Sequence, residues 1–381
     1  MRMNIMLNKN AIKGIALVLI LLAGCGCLSD TDSHADDETT QLTTLTSTDE
    51  QEIHSETKVV VDTTGVSVEM PQNIESIAVV PIPWTSIVYA VDGTGEKLVG
   101  IHPSAKKSYS ACILKKLAPE MGDASTDAIG QDFAINMEEV QKLDPDVMIV
   151  WDYQSQEAEQ LKSMGIPAVS LKYGTMEDLQ NGMKVIGSVL GKEEKANDLV
   201  AYHQEQIAYF QSKEDQLKDK EKPRVLYMRD AELKVAGQGA VNTIMIQMAG
   251  GENVAKDVAG QWTAVTMEQV IAWDPEIIIV SQFSDVTPEQ LYNNSIKGQD
   301  WSSIDAVKNK KVYKSPMGIY RWDAPCAETP LMIKWMAQKF QPDVFNDYVF
   351  EDELKEFYKN YLDYELSQED IDLISQKKLN G

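Results

Sequence analysis

Positive charge is scarce in this sequence. Its 381 residues include 35 lysines and arginines against 59 aspartates and glutamates, a formal net charge of −24 at pH 7. That excludes the basic footprint by which proteins hold nucleic acid or an anionic membrane surface, and leaves room for a cationic partner. Histidine and cysteine are sparse as well, four of each, and they form no C-x-x-C pair or His/Cys cluster, so no intrinsic metal site or cofactor is expected. No G-x-x-x-x-G-K-S/T phosphate loop occurs, and Gly237-Gln238-Gly239 lacks the third glycine of a dinucleotide fingerprint. Asp132, Asp152 and Asp323 are available carboxylates, but nothing in the sequence sets their separation and no nucleophile–base pair stands out. The chain reads as a binder and not as an enzyme.

Long hydrophobic runs are missing too. The run around Ile15–Leu22 offers about ten apolar residues, too few to cross a hydrocarbon core of roughly 30 Å. Arg2, Lys9 and Lys13 precede it and Leu22-Ala23-Gly24-Cys25 follows, the pattern of a lipoprotein signal; an uncleaved anchor helix is the alternative. Residues 1–24 are therefore expected to be removed and Cys25 to become a lipidated first residue, anchoring the protein to the outer face of the cytoplasmic membrane. Leu28 to Thr57 contains no lysine or arginine and is rich in threonine, serine and acids, so residues 25–57 are expected to form a disordered tether, with Cys27, His34 and His54 in it. Of the remaining cysteines, Cys112 and Cys326 read as two reduced, buried thiols in preference to a disulfide.

What the sequence does contain is one stretch twice. Ile135–Val150 (INMEEVQKLDPDVMIV) and Val265–Val280 (VTMEQVIAWDPEIIIV) align without a gap and agree at Met137/Met267, Glu138/Glu268, Val140/Val270, Asp144/Asp274, Pro145/Pro275, Ile149/Ile279 and Val150/Val280. In each copy Asn136 or Thr266 can cap a helix, with Glu139 or Gln269 three residues on to close a capping box. Ile135 with Val140, and Val265 with Val270, suit a hydrophobic staple. The proline stops the helix, and a short, wholly apolar strand follows, as in parallel sheets buried on both faces. Any helix–turn–strand unit needs a cap, a stop and an apolar strand, but none of these needs asks for the same acid at Glu138 and Glu268.

The fold class that follows is α/β, with two Rossmann-like lobes, each with a mostly parallel central sheet, and a ligand cleft between them beyond the carboxyl ends of the strands. The N-terminal lobe is expected over 58–172, opening with a hairpin that turns at Thr64-Gly65. A single long linker helix is expected over 173–222, interrupted near Gly191, so that closure would be a small rocking motion. The C-terminal lobe is expected over 223–341, and a helical tail, 342–381, is expected to pack back on a lobe. A monomer suffices for such an architecture.

Several candidate residues lie after strands. Trp151 directly follows the first repeated strand, Trp84 and His102 follow two other strands, Trp262 precedes Glu268, and Tyr320-Arg321-Trp322 forms a loop of the second lobe. Together they suit a bulky, partly apolar ligand, with Arg321 available for an oxygen or carboxylate. Any one of the tryptophans can equally be a core or edge residue.

At this point the chain resembles the helical-backbone (class III) substrate-binding lipoproteins of ATP-driven importers for ferric siderophores, haem and cobalamin. The resemblance runs from about Val59 to Pro342. It includes the opening VVVDTTGVSVEMPQNIESIAVV, both Met-Glu helix starts, the DPDVMIVW and DPEIIIVS strands, and MAGGENVA before the second copy. It implies that Glu138 and Glu268 dock on arginines of a permease dimer that works with an ATPase, and that the ligand is an iron or cobalt complex. Within that family a ferric siderophore-type complex is favoured by frequency, with a corrinoid or haem as the alternative and a surface lipoprotein without a transport role as a third possibility. In cobalamin-binding members aromatic residues grip the corrin ring from both lobes, and Trp151 and Trp262 are similar; a further tryptophan of those members corresponds here to Asp132. For haem, His102 or Tyr320 would be the iron ligand.

Overall fold

A computed structural model describes residues 57–380. The expected signal, Cys25, Cys27 and the tether with its two histidines lie outside the described residues. The chain enters through a hairpin, β1 (Thr57–Val61) and β2 (Ser67–Pro71), with Val60 opposite Val68. Its turn is tied by Asp62, whose Oδ1 accepts from the amides of Thr64 and Val66 at 2.8 and 3.0 Å, while Gly65 supplies the positive φ of 89°.

Next comes a four-stranded parallel sheet. Its strands are β3 (Ile77–Val79), β4 (Leu98–Ile101), β5 (Val147–Trp151) and β6 (Ala168–Leu171), in the order β4-β3-β5-β6. Helices α1 (Ile82–Asp92), α2 (Pro103–Ala111), α3 (Leu114–Leu117), α4 (Met137–Leu143) and α5 (Ser155–Ser163) cover it. Alternation along the strands divides the packing. Ile77, Val79 and Ile149 enter a large core with α1, whereas Ala78, Met148 and Val150 meet Val140 of α4 and Leu161 of α5 on the other face.

The linker is not one helix. Residues 176–217 form α6 (Met176–Leu190), α7 (Glu193–Ser212) and the short α8 (Glu214–Leu217). Gly191 ends α6 in the left-handed conformation (φ 65°), and the amide of Lys192 returns to the carbonyl of Gly187, a glycine C-cap that stops a helix. Beyond it the chain bends sharply, and α6 and α7 pack on each other so closely that a Cβ on Gly187 would lie 2.6 Å from the Cβ of Ala196.

The second sheet is made of β7 (Arg224–Met228), β8 (Lys234–Ala236), β9 (Glu252–Asn253), β10 (Trp262–Ala264), β11 (Ile277–Val280) and β12 (Val312–Lys314). The path β10-β8-β7-β11-β12 is parallel on the β7-β11-β12 side and antiparallel through β8 and β10, and β9 adds to β7. Its helices are α9 (Val241–Met248), α10 (Met267–Trp273), α11 (Pro288–Tyr292), α12 (Asp305–Lys308) and α13 (Thr329–Phe340). The molecule is thus α/β with two sheet-bearing lobes and many helices between and around them.

The two repeat copies fold alike. Asn136 caps α4 and Thr266 caps α10, and both helices end on a left-handed aspartate, Asp144 (φ 44°, ψ 58°) and Asp274 (φ 42°, ψ 66°), just before the proline. The caps accept backbone amides as expected; the reciprocal side-chain bonds that would complete a capping box are formed in neither copy.

The tail consists of α14 (Phe350–Leu362), α15 (Gln368–Ile374) and α16 (Lys377–Asn380). It binds more than one lobe. Lys116 of α3 pairs with Asp370 at 2.8 Å, Phe357 and Tyr361 pack on Tyr202 of α7, and Asn380 extends the edge of β12 by accepting from the amide of Lys314 at 2.7 Å. An extended Cys112 (φ −121°, ψ 175°) separates α2 from α3. Cys112 and Cys326 are both buried free thiols. No helix among the described residues is long and apolar enough to cross a membrane.

Candidate ligand cleft

A cavity of about 220 Å³ opens where the carboxyl ends of the two sheets face each other. From the first lobe it is lined by Ile82 and Pro83 at the start of α1, Trp151 at the end of β5, and Tyr173. From the second lobe come Asn242 at the start of α9, Trp262, Phe283, Tyr320 and the segment around Asp323.

Trp151 is fixed from behind. Its amide donates to the Oε1 of Gln154 at 3.1 Å, and the Nε2 of Gln154 donates to the carbonyl of Phe133 at 3.0 Å. Its ring stacks on Tyr153 (6.0 Å, 15°) and meets Phe133 and Tyr173 edge-on, each at 5.9 Å. Tyr173 spans the cavity floor, donating from its hydroxyl to the carbonyl of Pro325 at 2.6 Å. Across the cavity Trp262 begins β10 opposite Ala236, with its ring edge-on to Tyr227 at 6.2 Å.

Two guanidinium groups lie against Phe283 of the second wall without themselves lining the cavity. Arg229 lies 4.9 Å and Arg321 4.8 Å from the centre of the Phe283 ring, and Arg229 also sits 5.5 Å from Trp262. The sequence contains four arginines, of which Arg224 is engaged with Glu276 and the carbonyl of Asp274. Neither Arg229 nor Arg321 has an ion-pair partner among the described residues, and the buried Nε of Arg321 has no acceptor. Asp323 does not serve them. Its carboxylate accepts from Tyr227 Oη (2.5 Å), Ser315 Oγ (2.8 Å) and the amide of Gln282 (2.8 Å), while burial pushes its pKa up.

Besides Arg321, three expected site residues lie off the cavity wall. Trp84 is fully buried, its ring filling the space that a Cβ on Gly182 of α6 would occupy, and it reaches the cavity only through an edge contact with Tyr173 at 5.8 Å. Trp322 is fully buried against Phe350 of the tail. His102 caps α2, its Nδ1 accepting from the amide of Ser104 at 2.9 Å and its ring packed 4.5 Å from Phe133; burial lowers its pKa. It does not line the cavity, so it supports Phe133 and, through it, Trp151. Tyr173, Phe283 and Arg229 escaped the sequence. Arg229 and Phe283 follow the parallel strands β7 and β11, so the rule that marked Trp151 also pointed to them. Among the described residues no three histidine, cysteine, aspartate or glutamate side chains are grouped to hold a metal ion.

Glu138 and Glu268 are exposed in the first turns of α4 and α10. Glu138 pairs with Lys142 at 3.0 Å. The carboxyl pKa of Glu268 is lowered by hydrogen bonds from its own backbone amide and the Thr266 hydroxyl.

Two α/β lobes built on the same helix–turn–strand device, with an aromatic cavity at their facing strand ends, define a bilobed solute-binding protein. The chain belongs to the periplasmic binding protein family, whose model matches residues 77–317. It is similar to a periplasmic solute binding protein from Veillonella parvula DSM 2008, with 53% identity, a TM-score of 0.83, and coverage of 85% of this chain and 98% of that one. It is also similar to the molybdate-binding protein MolA of Haemophilus influenzae, 27% identical over 80% of this chain and 90% of the relative. The vitamin B12-binding protein of Vibrio parahaemolyticus is 25% identical over 60% of this chain and 76% of its own length. Proteins of this class are generally non-catalytic transport components. This one is an extracytoplasmic solute-binding protein that delivers a small ligand to a cognate ATP-binding-cassette permease and its ATPase.

Proposed function

We propose that the cleft captures a metal complex with a flat, unsaturated face, a corrinoid in preference to a ferric siderophore. The observation that carries this reading is that Trp151 and Trp262, from opposite lobes, line one cavity, with Tyr173 and Phe283 beside them. Aromatic walls on both sides suit the face of a large ring better than a compact hydroxamate complex. Similarity to vitamin B12-binding proteins supports the same choice and displaces the preference for iron, which rested on frequency. At about 220 Å³ the cavity is below the roughly 300–1,000 Å³ of pockets that enclose drug-sized ligands. A corrinoid therefore requires the lobes to part, breaking the Tyr173–Pro325 hydrogen bond.

A small oxyanion such as molybdate is the second reading. It is favoured by the small cavity, by the two guanidinium groups without carboxylate partners, and by the similarity to a molybdate-binding protein along most of that protein's length.

The test is a tryptophan-fluorescence titration of the chain from Ser29 onward with cyanocobalamin, haemin, ferrichrome and molybdate, with dye controls for inner-filter loss. Saturable one-to-one quenching by cyanocobalamin supports the corrinoid reading. Saturation by molybdate alone, lost in Arg321→Met, replaces it with the oxyanion; response to none of the four refutes both. In this reading Glu138 and Glu268 dock on the permease, and Cys25 carries the lipid. Cys25→Ser is then expected to shift the protein from the membrane to the soluble fraction.

A further inference from the structure

We propose that the C-terminal tail belongs to the capture machinery: Tyr358, acting through the buried carboxylate of Glu328, holds the loop Met317–Asp323 so that Tyr320 faces the cavity. Both are positioning residues, and the inference rests on the assignment of the cavity as the ligand site.

Glu328 is fully buried just before α13. Its Oε2 accepts from the amides of Ile319 and Tyr320 at 2.8 and 3.3 Å, and its Oε1 accepts from the Tyr358 hydroxyl of α14 at 2.6 Å. The loop is shaped to receive it. A Cβ on Gly318 would stand 1.7 Å from Oε1, so only glycine admits the carboxylate there. The tail takes hold of the same loop twice more. The amide of Met317 donates to the carbonyl of Ile374 at 3.0 Å, and Trp322 packs edge-on against Phe350 at 6.2 Å. The tail thus grips residues 317 and 322 directly and 319–320 through Glu328, and Tyr320, between the two direct grips, lines the cleft.

An acid this deep is costly unless its lone pairs are used. No lysine or arginine pairs with Glu328 among the described residues. Burial accordingly pushes its pKa up to about 7. An apolar side chain would fill the space without that cost, so the work left to the carboxylate is to organise the loop's backbone amides.

The test uses the full chain from Ser29 with Tyr358→Phe and Glu328→Gln. Amide hydrogen exchange is followed at Ile319 and Tyr320, with β5 amides as internal control, and cyanocobalamin and molybdate are titrated separately. Tyr358→Phe is expected to speed exchange of the loop amides by about tenfold and leave β5 unchanged. It is also expected to weaken whichever probe saturates the wild type by about threefold or more. Unchanged loop exchange overturns the proposal, as does faster exchange with an unaltered dissociation constant. If Glu328→Gln fails to fold, Tyr358→Phe, which removes one hydroxyl, still decides. If neither probe binds the wild type, the cleft assignment fails by itself and loop exchange alone decides whether the tail holds the loop.

Discussion

Acid should loosen the contact between α7 and the segment leading into α13 through one histidine. His203 is fully buried, and its Nε2 donates to the carbonyl of Ala327 at 2.8 Å, next to Glu328. Burial pulls its pKa from 6.5 down to about 4. Above pH 6.5 the ring is neutral in both folded and unfolded chains, and the shift has no effect. As the pH falls below 6.5 the unfolded chain takes up a proton that the folded chain refuses, so stability is lost progressively until about pH 4. The difference of 2.5 units between those values corresponds to about 3 kcal/mol. Many carboxylates titrate in the same range, so the assay must be differential. Urea unfolding of the wild type and of His203→Gln, whose amide can still donate to Ala327, is measured from pH 7.5 to 4. His203→Gln is expected to be the less stable protein at pH 7.5, and the gap should close by about 3 kcal/mol at pH 4. Parallel profiles would refute the assignment of a neutral, buried imidazole.

Other substitutions separate cleft, core and docking surface. Trp151→Ala or Trp262→Ala should weaken the ligand that saturates the wild type by about 2 kcal/mol or more in the same fluorescence titration, and unchanged dissociation constants would remove them from the site. Glu138→Ala with Glu268→Ala should leave soluble-phase affinity nearly unchanged and abolish uptake in cells; a large loss of affinity would contradict a docking role. Gly182→Ala forces a methyl group into the Trp84 ring and should cost about 1–3 kcal/mol in urea unfolding, with Tyr173 displaced behind it. An unaltered midpoint would mean that the ring can move aside freely.

The repeat was legible because its signals are local: a cap, a left-handed aspartate, a proline and an apolar strand lie within sixteen residues of each other in each copy. The cleft was legible only in part. Proximity to a strand end marks a residue as near the rim, but the direction of its side chain depends on the turn that follows. Trp151 stays on its strand and faces the cavity, whereas Trp84 is already inside α1 and turns back against Gly182. The strand-end rule covers Arg229 too, but only the fold brings it beside Phe283 and Arg321. The linker read as one helix interrupted near Gly191, but a glycine in the sequence does not reveal whether a helix kinks or folds on its neighbour. The tail had no legible role, since its contacts join residues as distant as Lys116 and Asp370.

The left-handed aspartates have a mechanical consequence. Each locks a helix to the strand after it, so α4 moves as one body with β5, and α10 with β11. A helix that leads into such a strand starts near the end where the strand finishes. Glu138 therefore rides with Trp151, and Glu268 with the Phe283 side of the cavity. The separation of these two exposed carboxylates is a caliper on the gap between the lobes, and any surface that touches both at once measures whether the jaws are open or shut.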